Sequence, residues 1–250
     1  GYNRAQVYPK IGFETFLDVS DFENAELVRD RYISDRDSYK KVIEEFEKIC
    51  QSGQPAFIFN VTMQNHSGYD TGCFTENAVR IPGDEGEFPN AEEYLTLIRE
   101  SDAAIPMLID YFSKIEDPTV IVFFGDHQPN DTVAAPILNL NGMTTKTLTE
   151  DQLKLRYEVP YVIWANYDID AESGKDTSAN YLAADVLHYA GISENAYGSY
   201  LLELQRNYPV ISAMRVLTKD GLDTNSSSLK QELKDYQSLQ YYQLFDWKKE

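Results

Sequence analysis

The sequence predicts an α/β fold, a mostly parallel sheet flanked by helices, with a small hairpin-plus-helix subdomain at the carboxyl end. Three observations predict it. Near-continuous apolar runs occur at "PAFIFNVTM" (55–63), "TVIVFF" (119–124) and "VPYVIWA" (159–165), with the length and the β-branched and aromatic content of covered strands. Longer stretches between and after them carry apolar residues at helical spacing, the alternation expected of βα units. After residue 208 the pattern changes to short extended pieces, a polar linker and one last helix. The expected division is therefore 1–208 for a partial α/β domain and 209–250 for the small subdomain.

Each element has a local reason. "GYNRAQVYPKIGFETFLDVSDF" (1–22) reads as a loop with short strand-like pieces. In "RDSYKKVIEEFEKIC", Tyr39, Val42, Ile43, Phe46 and Ile49 fall on one helical face, with Ser34 or Asp35 as cap and Gly53 and Pro55 beyond its end. The first apolar run then leads to Gln64-Asn65-His66. Residues 67–91, rich in Gly, Asp, Glu and Pro, read as a long loop. "AEEYLTLIRESDAAIPMLIDYFSKI" places Tyr94, Ile98, Ile105, Leu108, Ile109 and Phe112 on one face of a long helix, with Pro106 as a point of kinking. "TSANYLAADVLHYAGI" is a further amphipathic helix, stopped by Gly191. "YPVISAMRVLTKDG" reads as a hairpin, and "LKQELKDYQSLQYYQLFDW" as the last helix.

Composition narrows the function classes. The chain has 250 residues and 22 Lys and Arg against 41 Asp and Glu, a formal charge of −19. That balance argues against a nucleic-acid surface, which needs basic patches, and against broad adhesion to anionic membranes. No stretch approaches the ~20 apolar residues of a membrane span, and no signal peptide is expected within these residues. The chain opens on Gly1-Tyr2 without a Met, so it is expected to be a portion of a longer protein. Cys50 and Cys73 are compatible with one disulfide or two free thiols.

Chemistry is expected where strands end. Ligands in open α/β sheets bind beyond the carboxyl ends of the strands. One run ends at Asn65-His66 and the next at Gly125-Asp126-His127, so parallel strands would bring both tips to one crevice. A carboxylate oxygen and an imidazole nitrogen suit Zn²⁺, Mn²⁺ or Mg²⁺, and Gly125 allows the tight turn that aims both at one ion. Each residue also has a plainer reading. Asp126-His127 could be a turn followed by a helix cap. His66 could be a hydrogen-bonded structural histidine, and His188 reads as structural within its helix. Arg4 reads as a solvated loop residue unless it borders the crevice, where its guanidinium would hold phosphate. Tyr2 would stack on a ligand or simply pack.

Taken in order, "YNRAQVYPKIGFETFLD", "FIFNVTMQNHSGY", "TVIVFFGDHQP" and "VPYVIWA" resemble the lipoteichoic acid synthase-like sulfatases of the alkaline phosphatase superfamily, up to about residue 205. The resemblance implies an alkaline phosphatase/sulfatase-like fold, truncated on its amino-terminal side. It implies that Asp126 and His127 ligate one divalent metal, typically Mn²⁺, with Mg²⁺, Ca²⁺ and Zn²⁺ open. His66 matches the histidine that contacts the transferred phosphate group. Tyr2 and Arg4 match the segment lining the polyol-phosphate pocket, with Tyr where Trp is common. The family's acidic metal ligand and its Thr nucleophile precede the "YNR" segment. The chain is thus expected to be the carboxyl-terminal part of an enzyme, silent alone and dependent on the amino-terminal remainder of the same protein. The implied substrate is a phosphoglycerol lipid or another sulfate or phosphate ester of the cell envelope. The implied parent is membrane-anchored, with this part outside the cell. Two other readings stay open: a non-catalytic carbohydrate- or polymer-binding module using the eighteen Tyr, and a two-metal phosphomutase or nucleotide pyrophosphatase relative. The latter commonly needs a further metal-binding His, and only His188 lies downstream.

Overall fold

A computed structural model of the chain describes residues 3–71, 79–221, 223–224 and 230–246. The chain forms two compact units, Gly1–Lys114 with Pro129–Thr147, and Ile115–Gln128 with Leu148–Glu250.

The first unit is mainly helical. It holds α1 (Arg4–Lys10), the strands β1 (Leu27–Val28) and β2 (Tyr32–Ile33), α2 (Asp35–Gln51), α3 (Pro89–Phe112) and α4 (Asp131–Leu140). The opening segment, read as a loop, contains α1. Its aromatic residues overrode the strand-like pattern: Tyr8, at the helix end, packs on Phe13 and Phe16 at centroid distances of 5.2 and 5.6 Å. Helix α2 starts as expected. Ser34 Oγ accepts from the Asp37 N–H at 3.1 Å, and Asp35 and Asp37 face the positive end of the helix dipole. Its apolar face meets α3, where Phe46 and Phe112 pack edge to face at 4.9 Å. Tyr69, Ile81, Ala91, Leu97 and Val133 form the core of this unit.

Glu92 is 1% exposed in the first turn of α3 and holds the preceding loop. It accepts from the N–H groups of Ile81 and Gly86, both at 3.0 Å, and from Arg80 Nη1 at 2.6 Å. Burial pushes its pKa up, but the two N–H donors and the guanidinium outweigh it, so the carboxyl titrates below the usual range. Its folded pKa therefore lies below its unfolded one. The stabilisation is complete above the ordinary carboxylate range and is lost as pH falls through the folded value. Urea unfolding at neutral and acid pH is expected to show wild type losing more stability on acidification than Glu92→Gln.

The second unit holds β3 (Val120–Phe124), α5 (Glu150–Leu155), β4 (Tyr161–Ala165), α6 (Ala179–Tyr189), α7 (Ala196–Asn207), the short strands β5 (Val210–Ile211), β6 (Val216–Leu217) and β7 (Asp223–Thr224), and α8 (Gln231–Tyr241). The hairpin expected after residue 208 is present as β5 and β6, and the last helix as α8. Tyr181, Ala184, Leu201, Leu204, Tyr208, Val216, Leu233 and Tyr236 make one core. The Tyr181 ring is fully buried, and its hydroxyl donates to the Tyr208 carbonyl at 2.8 Å.

The α/β class holds, but the expectation of a mostly parallel sheet does not describe the observed pairing. β3 and β4 are antiparallel, from Val120 opposite Ala165 to Phe124 opposite Tyr161, and every other described strand pair is antiparallel too. An apolar run reports how far a strand is covered, not which way its neighbour runs. The run "PAFIFNVTM" forms no strand among the described residues. Phe57 is 74% exposed and Phe59 45%, because strand propensity acts only against a partner. Among the described residues no helix is long and apolar enough to cross a membrane. Cys50 is half-buried, and Cys73 lies outside the described residues.

Candidate active site

In the second unit, β3 runs out at Phe124, and the Gly125 N–H donates to the Pro160 carbonyl at 3.2 Å. A Cβ on Gly125 would stand 3.1 Å from Val159 Cβ, so glycine lets the strand end lie close against the residues leading into β4. Asp126 and His127 follow, with side chains 85% and 75% exposed, and His127 Nε2 lies 3.5 Å from Asp126 Oδ2. They are not a helix cap: the next helix, α4, begins at Asp131 and is capped by Asn130.

The imidazole orientation is informative. His127 Nδ1 lies 2.9 Å from the Gln128 carbonyl, which can only accept, so Nδ1 carries the proton in the neutral ring. Gln128 is itself tied to the Glu158 carbonyl. Nε2 then presents a lone pair beside a carboxylate oxygen with no proton between them. Two ligands bound to one ion at ~2.1 Å and a tetrahedral angle stand roughly 3.4 Å apart, close to the separation found here. A backbone carbonyl on the far nitrogen is also the arrangement that fixes metal-binding histidines. The pair fits one edge of a divalent-cation site. Among the described residues no third His, Cys, Asp or Glu joins them.

His66 and Arg4 belong to the first unit. Arg4 is the half-buried first residue of α1. Tyr2 lies outside the described residues. His66 is exposed, on the loop that follows the extended run, and its Nδ1 is 3.2 Å from the Tyr32 hydroxyl. The loop rests on buried polar groups. Gln64 is 3% exposed; its Oε1 accepts from the Asp35 N–H at 2.9 Å, and its Nε2 donates to the Leu97 carbonyl at 3.1 Å. Ser101 Oγ accepts from Asn65 Nδ2 at 2.8 Å and donates to Asp35 Oδ2 at 2.6 Å. Burial raises the Asp35 pKa against the hydrogen bonds from Ser101, Thr62 and the Gln64 backbone.

Sequence reading missed Arg29. It stands in the turn between β1 and β2, where it and Asp30 have φ of 56° and 52°. That left-handed backbone costs a non-glycine residue roughly 1–2 kcal/mol. The Arg29 side chain is 2% exposed, with Nη1 donating to the Gly68 carbonyl at 2.7 Å and Nη2 to the carbonyls of Gln64 and His66 at 2.8 and 2.7 Å. Its guanidinium also faces the rings of Tyr32 and Tyr69 at 5.3 and 5.6 Å. His188 is exposed near the end of α6, 3.8 Å from Glu194.

Comparison with known proteins gives three findings. The sulfatase family model matches residues 1–192. A putative cyclic beta-1,2-glucan modification protein of Rhizobium meliloti (strain 1021) is 28% identical over 257 residues, covering 98% of this chain and 39% of that protein. Two solved structures share the fold. The lipoteichoic acid synthase LtaP from Listeria monocytogenes has a TM-score of 0.64 at 19% identity, covering 98% of this chain and 66% of that one. The Streptococcus pyogenes phosphoglycerol transferase GacH, in complex with sn-glycerol-1-phosphate, has 0.62 at 20% identity, covering 96% and 57%. The chain thus spans well under half of the curated relative's length.

Proposed function

Because the chain belongs to the sulfatase family and has the fold of its lipoteichoic acid synthase-like members, we propose that it is the carboxyl-terminal part of a metal-dependent enzyme that transfers or hydrolyses phosphoglycerol esters of cell-envelope polymers or lipids. The observation that carries this reading is the Asp126–His127 tip, two exposed lone-pair donors 3.5 Å apart. A binding module has no use for that pair.

Asp126 and His127 would hold one divalent ion, Mn²⁺ by preference, together with an acidic ligand outside residues 1–250. Such an ion would supply Lewis-acid chemistry at the ester and favour the ionised form of a hydroxyl nucleophile. The nucleophile, a Thr, also lies outside this stretch. Arg4 and Tyr2 receive the glycerol phosphate, the cation on the phosphate and the ring on the polyol. His66 donates to a non-bridging oxygen, where negative charge builds during transfer. The parent protein is anchored by other helices on the outer face of the membrane. The names of the relatives favour phosphoglycerol over sulfate and a glycan as acceptor.

Two assays test this. The 250-residue chain with Mn²⁺ is expected to release nothing from a phosphoglycerol lipid or an aryl sulfate; turnover that Asp126→Ala abolishes would overturn the assignment of the nucleophile to another part of the protein. The full-length protein is expected to turn over the phosphoglycerol lipid. Preference for the aryl sulfate would reassign the substrate, and no turnover of either, with glycan binding unchanged by His127→Ala, would leave the binding-module reading.

A further inference from the structure

We propose that the β1–β2 hairpin is a positioning device for His66: Arg29 fixes its loop, and Tyr32 fixes its tautomer so that Nε2–H points outward as a donor. The inference rests on the reading of His66 as the residue that meets the transferred phosphoryl group.

Arg29 carries the first half. A loop of the composition of residues 64–68 has no regular ladder to satisfy its carbonyls, and three of them converge on one guanidinium. A planar fork with donors in fixed directions spans three acceptors; the point charge of a lysine does not. The carboxylate of Glu93 stands 3.9 Å away, 6% exposed, and accepts from the N–H and hydroxyl of Thr71 at 3.0 and 2.7 Å. The clamp is thereby anchored on both sides of the His66 loop. The left-handed backbone at Arg29 and Asp30 fits this role, since strain of that kind persists where tertiary contacts over-determine the turn.

Tyr32 carries the second half. It follows Arg29 by three residues on β2, so the hairpin that delivers the clamp also delivers the phenol. A phenol is a better donor than acceptor, and the Tyr32 hydroxyl is 3.2 Å from His66 Nδ1. With Nδ1 accepting, the neutral imidazole must carry its proton on Nε2, the form that can donate to an anionic oxygen. The arrangement is the reverse of that at His127, where a carbonyl holds the proton on Nδ1 and leaves Nε2 as a lone-pair donor. One histidine is set as a hydrogen-bond donor and the other as a ligand, each by the partner of its Nδ1.

The chain has three histidines, so the imidazoles can be read directly. Long-range ¹H–¹⁵N spectra of the histidine-labelled 250-residue chain, at a pH where the rings are neutral, are expected to show His66 as the Nε2–H tautomer and His127 as the Nδ1–H tautomer. Tyr32→Phe keeps the ring beside Arg29 and removes only the hydroxyl; the His66 signals are expected to move toward a mixture of tautomers. An Nδ1–H tautomer at His66, or signals unmoved by Tyr32→Phe, would overturn the proposal. In the full-length enzyme Tyr32→Phe is expected to lower kcat on the order of tenfold, the size of one neutral hydrogen bond, with KM little changed. Arg29→Lys is expected to lower kcat further, and if it unfolds the protein, Tyr32→Phe still decides. Failure of the functional reading looks different: His66→Ala would leave turnover intact while the tautomers stayed as assigned.

Discussion

Asp126→Ala and His127→Ala are each expected to reduce turnover of the full-length enzyme on the order of 10³-fold, and to leave its stability nearly untouched. The two halves of the expectation have separate causes. Under the proposed metal assignment each residue would supply one of the paired donors at the end of β3, and removing either would leave water to fill the coordination position, which would hold the cation less tightly and in less fixed geometry. The side chains are 75% and 85% exposed, so their truncation opens no cavity and orphans no buried group. Such surface changes alter unfolding free energy within about 0.5 kcal/mol. Because the pair acts as a unit, the double variant is expected to lose little more than either single one. Turnover, Mn²⁺ titration and urea midpoints measured on the same three variants check this. Loss of stability matching the loss of activity would make the tip structural, and additive losses would mean that the residues act apart.

The parts of this molecule that the sequence made legible are those governed by short-range rules. Ser34 announced α2 because a hydroxyl before a helical apolar stripe has one good acceptor role. The end of β3 was legible because its apolar run stops abruptly at Gly125 and exposed polar residues follow. What failed was whatever depends on a partner distant in sequence. "PAFIFNVTM" has strand composition, yet its state depends on what lies beside it. The direction of β4 against β3 is set by the intervening chain, not by either run. Arg29 was invisible because its role rests on carbonyls 35 to 39 residues away. The helix α3 shows the same limit within one element. Periodicity assigned Ile98 to the apolar face, but Leu97 is fully buried and Ile98 is 40% exposed. Glu92, Glu93 and Thr96 turn the buried face toward themselves, since loop N–H groups, Thr71 and Arg80 give them partners that a hydropathy pattern does not count.

That one-residue difference on α3 yields the largest expected effect on stability. Leu97→Ala is expected to destabilise the protein by about 3–4 kcal/mol, and Ile98→Ala by less than about 1 kcal/mol. Leu97 is enclosed with Tyr69, Ile81, Ala91 and Val133, contributed by two loop positions, α3 itself and α4. Side chains held by separate elements cannot all move inward to fill the space of a lost isobutyl group, so a cavity term adds to the transfer term. Ile98 has the same number of carbons but already faces water over much of its surface, so little is transferred and no void forms. Urea unfolding of both variants with unchanged m-values would establish the pair as a difference in burial alone. Equal costs would return the apolar face of α3 to the register that periodicity suggested. The effect should also reach the His66 loop, because the Leu97 carbonyl holds Gln64 and Ser101, one turn further along, holds Asn65 and Asp35. Leu97→Ala is therefore expected to broaden the His66 imidazole signals while those of His127, in the other unit, stay sharp.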